Sequence, residues 1–219
     1  MPLARLQDGR SPYRRHLDQW KDGCGTTHCE HATNVVICRG QLPCDILLIG
    51  EAPGSSEDAV GEPFVGPAGV LLDNIVLEAL ETWQVPGTKG YGYNELSVAY
   101  TNLVGCLPRN EDGKKDPEKN QIKACSSRLR EFVGIAKPKL VVCVGSVSDK
   151  HAWSAFEGKG RTIYAGVPNR VEGHPTVKVW TSIVHPASIL RAPDAQKSLL
   201  RQRCVVTIRR AVMKLLGEE

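Results

Sequence analysis

The sequence predicts an α/β fold: a three-layer α/β/α sandwich whose central, mainly parallel sheet has four strands. Short continuous apolar runs, which are typical of strands buried on both faces, alternate along the chain with longer segments of helical periodicity. Strands that alternate with helices pack into a parallel sheet covered on both faces. The length of 219 residues suits one domain, so we expect residues 1–219 to form a single domain.

Four segments carry the strand pattern. They are Ile46–Ile49, Ser97–Val104, Leu140–Val144 and Val177–Val184. Helical spacing appears in the segments between and after them. The predicted helices are Ala68–Trp83, Pro117–Ala136, a stretch from Ser146, and Pro193–Leu216. Residues 1–44 are rich in cysteine, glycine, histidine and charge, and we expect them to be irregular.

The composition, with 41% hydrophobic and 24% charged residues, excludes a disordered tail protein and supports a packed core. The longest apolar runs are far too short to cross a bilayer, and the charged amino terminus lacks the apolar core of a secretion signal. We therefore expect a cytoplasmic protein with no membrane partner. The net charge of +4 permits a nucleic-acid partner without requiring one.

Eight cysteines need an explanation. They are too sparse for a disulfide scaffold, and a reducing compartment would keep them as thiols. Metal binding, catalysis and simple burial remain. Cys143, in a predicted strand, and Cys204, in a predicted helix, are expected to be buried as small hydrophobic residues.

Glycine-rich loops and polar residues follow the predicted strands, where ligands bind in parallel α/β sheets. Gly50-Glu-Ala-Pro-Gly54 follows the first strand, and Pro63-Phe-Val-Gly66 comes shortly after it. Asn102 and His185 stand at the ends of two other strands. Small residues let the backbone approach a ligand closely. The sequence has neither a Walker loop nor a Gly-x-Gly-x-x-Gly fingerprint.

Taken together and in this order, the motifs resemble those of the iron–sulfur uracil-DNA glycosylases, often called family 4. The resemblance rests on the two loops above, on Thr101-Asn-Leu-Val-Gly-Cys-Leu-Pro-Arg109 and on His185-Pro-Ala-Ser-Ile-Leu-Arg191. It implies a monomeric, monofunctional hydrolase that acts on uracil-containing DNA. Such an enzyme hydrolyses the N-glycosidic bond of a flipped-out uracil and leaves an abasic site.

The resemblance gives physical roles to three side chains that would otherwise pass for ordinary core or surface residues. Phe64 would stack on the extruded base. Asn102 would match the edge of uracil with one acceptor and one donor, so that cytosine would leave polar groups unpaired. His185 would donate a hydrogen bond to uracil O2 and stabilise the negative charge of the leaving group.

The carboxylate that handles the attacking water is left open. Better-known uracil glycosylases carry an aspartate where this chain has Ala52, so Glu51 and Glu57 are the remaining candidates. The resemblance implies that Glu51, Ala52 and Pro53 line the uracil site. We expect Glu51 to act from within the pocket and Glu57 to contribute to the chemical step, whereas Asp58 is expected to hydrogen-bond within the loop.

The segment after His185 is expected to contact DNA. Ser188 and Arg191 are the candidate phosphate ligands, and Ile189 or Leu190 is the candidate wedge that enters the base stack. The alternative for both aliphatic residues is that they begin a hydrophobic seam to the last helix.

Four cysteines match the positions of the cluster ligands in the family: Cys24, Cys29, Cys106 and Cys125. The resemblance implies that they hold a structural [4Fe–4S] cluster, since four thiolates suit such a centre and base excision needs no electrons. The first pair is spaced Cys-x4-Cys, wider than the usual Cys-x2-Cys, so Cys38 or Cys44 could take the place of Cys24. A four-cysteine zinc site is the main competitor.

Two other functions compete with the enzyme. One is a non-catalytic or covalently trapping uracil-DNA-binding protein, but such relatives carry a basic insertion before the second-motif histidine and a glutamine in place of Ala52. The run Trp180-Thr-Ser-Ile-Val-His185 has no insertion, which favours the enzyme. The other is a zinc or iron–sulfur ribbon protein whose α/β domain binds a nucleotide.

Overall fold

The computed structural model describes residues 11–24, 32–81, 96–108, 116–156 and 166–218. The helices and strands in these ranges are, in chain order, α1 Pro12–Trp20, β1 Arg39–Gly40, β2 Ile46–Gly50, α2 Ser55–Val60, α3 Pro67–Leu80, β3 Val98–Asn102, α4 Lys119–Ala136, β4 Leu140–Val144, α5 Ser146–His151, a 3-10 helix Ala152–Phe156, β5 Asn169–Arg170, β6 Val179–Ile183, α6 Pro186–Arg191 and α7 Asp194–Leu216.

The sheet has six strands in the order β1-β3-β2-β4-β6-β5. Its central strands β3, β2, β4 and β6 are parallel, and Ile46 stands opposite both Val98 and Leu140. The two-residue strands β1 and β5 add antiparallel edges. The predicted fold class is therefore confirmed. The predicted count of four strands misses the two edge strands, because two residues are too few for a periodicity to show.

Strand β3 ends at Asn102, before the predicted end at Val104. The chain turns there because Leu103 and Val104 donate their N–H groups to the carbonyls of Gly50 and Glu51, at 3.0 and 3.3 Å. Asn102 itself stands directly opposite Gly50 in the sheet register. The end of β3 and the loop after β2 are thus held together by backbone hydrogen bonds.

Helices cover both faces of the sheet, as the three-layer prediction requires. Consecutive residues of a strand point to opposite faces. Leu48 packs with Ile75 of α3 and Ile208 of α7, whereas Leu47 packs with Phe132 of α4. Strands β2 and β4 are buried at every residue, which explains why their sequences are continuously apolar.

The expectation that residues 1–44 are irregular is wrong for α1. The side chain of Ser11 caps this helix by accepting the N–H of Arg14 at 3.2 Å, and such a cap stabilises a helix start. Trp20 Nε1 donates to Glu131 of α4 at 2.8 Å. The contact with α4 holds a short, polar helix that would be marginal alone.

The last predicted helix appears as α7, and a separate helix α6 precedes it. Ala192 and Pro193 adopt extended backbone conformations between the two, because a proline restricts the residue before it to such conformations. The end of the predicted helix Ala68–Trp83 falls partly outside the described residues. Within the described ranges, no helix is both long and apolar enough to span a membrane.

Candidate active site

The carboxyl ends of β2, β4 and β6 open into a cavity of about 800 Å³. Its wall comes from the loop after β2, the start of α5, the end of β6 and the helices α6 and α7. The polar side chains in the lining are Glu51, Asp116, Ser146, Asp149, Ser182, His185, Ser188, Arg191, Arg203 and Thr207. Because ligands bind at this edge of parallel sheets, the cavity is the candidate active site.

His185 stands at the junction of β6 and α6, where it caps the helix. Its Nδ1 accepts the N–H of Ala187 at 3.1 Å, so the proton of a neutral ring lies on Nε2. Burial lowers the pKa of His185 below 6.5, and the positive charge of Arg191 lowers it further. His185 is therefore a neutral imidazole that can donate a hydrogen bond from Nε2.

Glu51 lies in the cavity wall next to the predicted Ala52 and Pro53. Burial raises the pKa of its carboxyl above 4.5, and the charge of Asp116 adds to this effect. No other group in the described part of the chain hydrogen-bonds the carboxyl of Glu51. A half-buried, unpartnered carboxyl that lines a cavity is suited to binding a water molecule or a cation.

Glu57 has a different environment. One carboxylate oxygen accepts the N–H of Gly54 at 3.0 Å, and the other accepts those of Val65 and Gly66 at 3.0 and 2.8 Å. Three backbone donors occupy this carboxylate, and Glu57 is not part of the cavity lining. These contacts give Glu57 the role of a clamp between two loops, in place of the predicted part in the chemical step.

Asp58 fulfils the expected structural role. Its Oδ1 accepts the N–H groups of Thr33 and Asn34 at 2.9 and 3.2 Å, while the side chain of Asn34 donates to the Asp58 carbonyl at 2.7 Å. Asp58 thereby fixes the segment before β1 to α2. The two consecutive acidic residues of the motif hold two different segments.

The structure brings Phe64 and Asn102 together around Gly50. A Cβ atom placed on Gly50 would collide with both the ring of Phe64 and Oδ1 of Asn102, so only glycine fits there. Asn102 is 2% exposed. Among the described residues, none hydrogen-bonds its side-chain amide. A buried, unpartnered amide costs free energy, and it remains ready to bind a ligand edge.

The backbone of Phe64 is in the left-handed region, with φ at 58°. For a residue other than glycine this conformation costs on the order of 1–3 kcal/mol and persists only where surrounding contacts enforce it. Gly69 leaves the necessary space, because a Cβ atom there would collide with the Phe64 carbonyl. The conformation holds the ring against Tyr100, with the ring centres 5.9 Å apart.

The predicted site residues therefore form two groups on either side of Gly50. Glu51, Ala52, Pro53 and His185 line the cavity. Phe64 and Asn102 do not line it. Both lie next to Gly50, Asn102 at the end of β3 and Phe64 in the loop before α3. We call the first group the chemical side and the second group the recognition side.

Of the four residues of α6 that were predicted to contact DNA, three are accessible and one is buried. Ser188 and Arg191 line the cavity, and Leu190 is 43% exposed. Ile189 is only 2% exposed and packs in the core beside α7, so it cannot enter a base stack. The prediction of a wedge at Ile189 is wrong, and the alternative of a hydrophobic seam holds for this residue.

Several residues that line the cavity belong to none of the sequence motifs. Asp149 Oδ2 accepts a hydrogen bond from Ser182 Oγ at 3.2 Å, which joins α5 to β6. Arg203 of α7 reaches the cavity, whereas Arg201 pairs with Glu78 of α3. The basic composition of α7 was visible in the sequence, but only the helical phase decides which arginine faces the site.

The predicted cluster ligands are only partly placed. Cys106 and Cys125 are 5% and 4% exposed, Cys24 is half-buried, and Cys29 lies outside the described residues. Within the described ranges, no group of three or more potential metal ligands comes together. Burial raises the pKa of both alternative ligands, Cys38 and Cys44, to about 12.

Arg128 provides a test of whether this region suits an anionic cluster. Its side chain is 1% exposed and lies one helical turn after Cys125. One nitrogen donates to the carbonyls of Asn102 and Leu103, but Nε and Nη1 have no partner in the described part of the chain. A Cβ atom placed on Gly105, the neighbour of Cys106, would lie 3.3 Å from this Nε, so Arg128 lies close to the backbone next to Cys106. A buried cation with unused donors fits an anionic four-thiolate centre.

Fold and site together define an α/β protein that gathers an aromatic ring, an amide, a neutral histidine and a carboxyl at one sheet edge, as a base-recognising hydrolase requires. The sequence profile of the uracil DNA glycosylase superfamily matches residues 39–209. The chain belongs to this superfamily and, within it, to the type-4 uracil-DNA glycosylases.

Three relatives illustrate the similarity. The type-4 uracil-DNA glycosylase of Sulfurisphaera tokodaii is 35% identical over 76% of this chain and 70% of its own length. That of Pyrobaculum aerophilum is 34% identical over 75% of this chain and 77% of its own length. That of Archaeoglobus fulgidus is 30% identical over 75% and 76%.

Proposed function

We propose that this protein is a DNA repair enzyme that hydrolyses the N-glycosidic bond of flipped-out uracil in DNA and leaves an abasic site. The observation that carries the proposal is the arrangement of His185, whose Nδ1 accepts the N–H of Ala187 and leaves Nε2 to donate. Glu51 lines the same cavity, and its carboxyl has no hydrogen-bond partner in the described part of the chain. An uncharged donor beside a carboxyl suits a reaction in which the leaving base becomes anionic and the sugar becomes cationic.

Recognition of the base falls to the recognition side. The ring of Phe64 supplies a flat apolar surface for stacking, and the amide of Asn102 supplies a donor for the O4 carbonyl and an acceptor for the N3–H of uracil. Cytosine presents the opposite pattern at this edge, so it would leave the buried amide unpaired. The proximity of both groups to Gly50 supports a shared base-binding surface.

The chemical step divides between two residues. When the bond between N1 and C1′ breaks, its electron pair moves to uracil, and His185 Nε2–H stabilises the resulting charge at O2. The carboxyl of Glu51, in its ionised form, stabilises the cationic sugar and orients the water that attacks C1′. The proton released by this water passes to Glu51 or to the uracil anion.

Grip on the DNA comes from the α6 and α7 side of the cavity. We propose that Ser188, Arg191 and Arg203, which line the cavity, bind phosphates of the DNA. Leu190, which is exposed, is the remaining candidate for the wedge that fills the space of the extruded nucleotide.

We further propose that Cys24, Cys29, Cys106 and Cys125 hold a structural [4Fe–4S] cluster. The buried cysteines Cys106 and Cys125 and the unused donors of Arg128 support this ligand region. Absorbance near ~400 nm, expected of thiolate-bound iron–sulfur centres, together with iron and sulfide analysis would support the cluster. A colourless protein with one zinc ion would contradict it.

The remaining proposals concern the molecule as a whole. We propose a single domain that acts as a monomer in the cytoplasm. The one continuous sheet among the described residues supports a single domain, and the reduced cysteines in these ranges fit a reducing compartment. Sedimentation of the purified protein would test the monomer.

The deciding experiment uses single- and double-stranded oligonucleotides that contain one uracil, followed by alkali, which breaks the strand at an abasic site. We expect cleavage at the uracil and none in matched oligonucleotides with thymine or cytosine at that position. The absence of cleavage in both strand forms would refute the enzyme. A complex that survives denaturation would instead indicate a covalently trapping protein.

A further inference from the structure

The loop that carries Phe64 is held from both ends by side chains of opposite charge. On its carboxyl side, Glu57 accepts the N–H groups of Val65 and Gly66. On its amino side, Nε of Arg39 donates to the carbonyl of Pro63 at 3.0 Å. Arg39 belongs to the edge strand β1, which no motif had marked as part of the site.

The guanidinium of Arg39 is itself fixed. Its two terminal nitrogens donate to the two carboxylate oxygens of Asp73 on α3, at 3.0 and 2.8 Å. Its central carbon lies 4.2 Å from the ring centre of Tyr100, which is paired with Arg39 across the β1–β3 ladder. Each nitrogen of the guanidinium therefore donates a hydrogen bond, and one face of the group lies against the Tyr100 ring.

The guanidinium of Arg39 is connected to Phe64 indirectly, in two ways. One route runs through the backbone, because the Pro63 carbonyl precedes the left-handed Phe64. The other runs through the rings, because Tyr100 contacts both the Arg39 guanidinium and the Phe64 ring. Movement of Arg39 would release both the backbone and the ring of Phe64.

We infer that Arg39, oriented by Asp73, is a positioning residue for base recognition, and that its guanidinium holds the Phe64 loop in the conformation that presents the ring to an extruded pyrimidine. The inference rests on the proposed function for its ligand, since it assigns the stacked group to the uracil base. The contacts that carry it are independent of that proposal.

Arginine is specifically required for this arrangement. A lysine ammonium is a single point charge and cannot bind both oxygens of Asp73, donate to Pro63 and stack on Tyr100 at the same time. The pair is partly exposed, at 25% and 33% of the two side chains, so its loss should cost less stability than the loss of a buried pair, although a bidentate pair is worth more than most surface pairs. Loss of the bidentate contact between Arg39 and Asp73 is therefore expected to affect base recognition more than folding.

The first test compares Arg39→Lys and Arg39→Met with Lys139→Met. Lys139, which directly precedes β4, forms an ion pair with Asp45 at 2.8 Å at the amino ends of the central strands and provides the control. We expect kcat/KM for uracil excision to fall roughly 10- to 100-fold in both Arg39 variants, as misplacement of a binding group does, with a melting temperature lower by at most a few degrees, and to stay unchanged in Lys139→Met. A full rescue by lysine would overturn the inference.

The second test asks whether Arg39 acts through Phe64. In a Phe64→Ala background, adding Arg39→Met should change kcat/KM by less than about twofold, since coupled residues are not additive. A full multiplication of the two single effects would show that Arg39 acts elsewhere.

The third readout does not depend on activity. Amide hydrogen exchange at Val65 and Gly66 should accelerate about tenfold or more in Arg39→Met and stay unchanged in Lys139→Met, since local opening sets exchange. Unchanged exchange would overturn the positioning role even in an active enzyme. Accelerated exchange in a protein without uracil excision would leave the loop role standing and refute the proposed function alone.

Discussion

The recognition side and the chemical side of the site are built in opposite ways. Around Phe64, two charged residues, Glu57 and Arg39, hold the backbone of a strained loop. In the cavity, the carboxyl of Glu51 has no partner in the described part of the chain, and His185 uses only one of its ring nitrogens in the fold. The Phe64 loop is fixed by many contacts, whereas the cavity keeps functional atoms free among the described residues. The amide of Asn102 shares this second property, although it belongs to the recognition side.

The difference follows from what each side must do. A stacking ring reads shape, so its position must be set before the base arrives, and the cost of that conformation is carried by neighbouring bonds. A donor or carboxyl that acts on the reacting atoms must have unused capacity, and such groups lower the stability of the fold. Substitutions on the two sides should therefore separate stability from activity.

The largest effect is expected at His185. Replacement by alanine removes the donor at the leaving base, and loss of one such donor costs about 100- to 1,000-fold in rate. Replacement by glutamine keeps an N–H donor and should retain part of the rate. Single-turnover excision measures both, and equal rates for the native protein and His185→Ala would remove this residue from the mechanism.

The pH profile adds a sharper check on His185. Because its pKa in the folded protein is lowered, the neutral donor persists as pH falls below 6.5, and the His185-dependent part of the rate should decline only in more acidic buffer. In His185→Gln, whose side chain at this position does not titrate, only the acid decline caused by protonation of Glu51 should remain. A limb centred above 6.5 would contradict the neutral donor.

The next effect is expected at Asn102. Asn102→Ala removes both polar contacts to the base, and losing hydrogen bonds to a buried partner should slow uracil excision roughly 10- to 100-fold. Since the amide has no partner among the described residues of the fold, the melting temperature should hardly change. A large loss of stability together with normal excision would assign Asn102 to the fold instead.

Glu57→Gln tests the clamp. Three N–H groups donate to this carboxylate, and bonds to a charged acceptor are worth more than neutral ones, so the variant should lose about 2 kcal/mol in free energy of unfolding. Chemical denaturation measures this loss. A slow enzyme of unchanged stability would instead return Glu57 to the chemical step.

Glu51→Gln should behave in the opposite way. The raised pKa of Glu51 means that the folded state disfavours its ionised form, so its contribution to stability is greatest in acid and is lost as pH rises through 4.5 and the higher folded value. At neutral pH the glutamine variant should therefore be at least as stable as the native protein, yet slower in excision. A less stable Glu51→Gln would show that the carboxyl has a structural partner.

The sequence predicted the parts of the fold in which burial alone decides. Strand β4 has its predicted bounds, Leu140–Val144, because a strand buried on both faces must be apolar throughout. Helix α1 was missed because its stability depends on the contact of Trp20 with α4, and no local pattern records a contact over such a distance in the chain.

The site shows the same division. The meeting of Asn102 with the loop after β2 followed from the rule that parallel strands end at one edge, and the register confirms it. The role of Glu57 could not be predicted, because its partners are backbone N–H groups, which are present in every sequence. The role of Arg39 was not predicted for a related reason, since an edge strand of two residues is too short to show a hydrophobic periodicity.

The smallest effect is expected on the proposed DNA-binding face, where one arginine of α7 can be tested and another serves as its control. Arg203 faces the cavity, whereas Arg201 is bound to Glu78. Arg203→Ala should weaken DNA binding by a few-fold and reduce the slope of log K against log salt by about one, as the loss of one phosphate contact does. Arg201→Ala removes the same charge and should leave the slope unchanged. Equal slopes for the two variants would mean that only the overall charge of α7 attracts the DNA, and that the cavity does not bind a particular phosphate through Arg203.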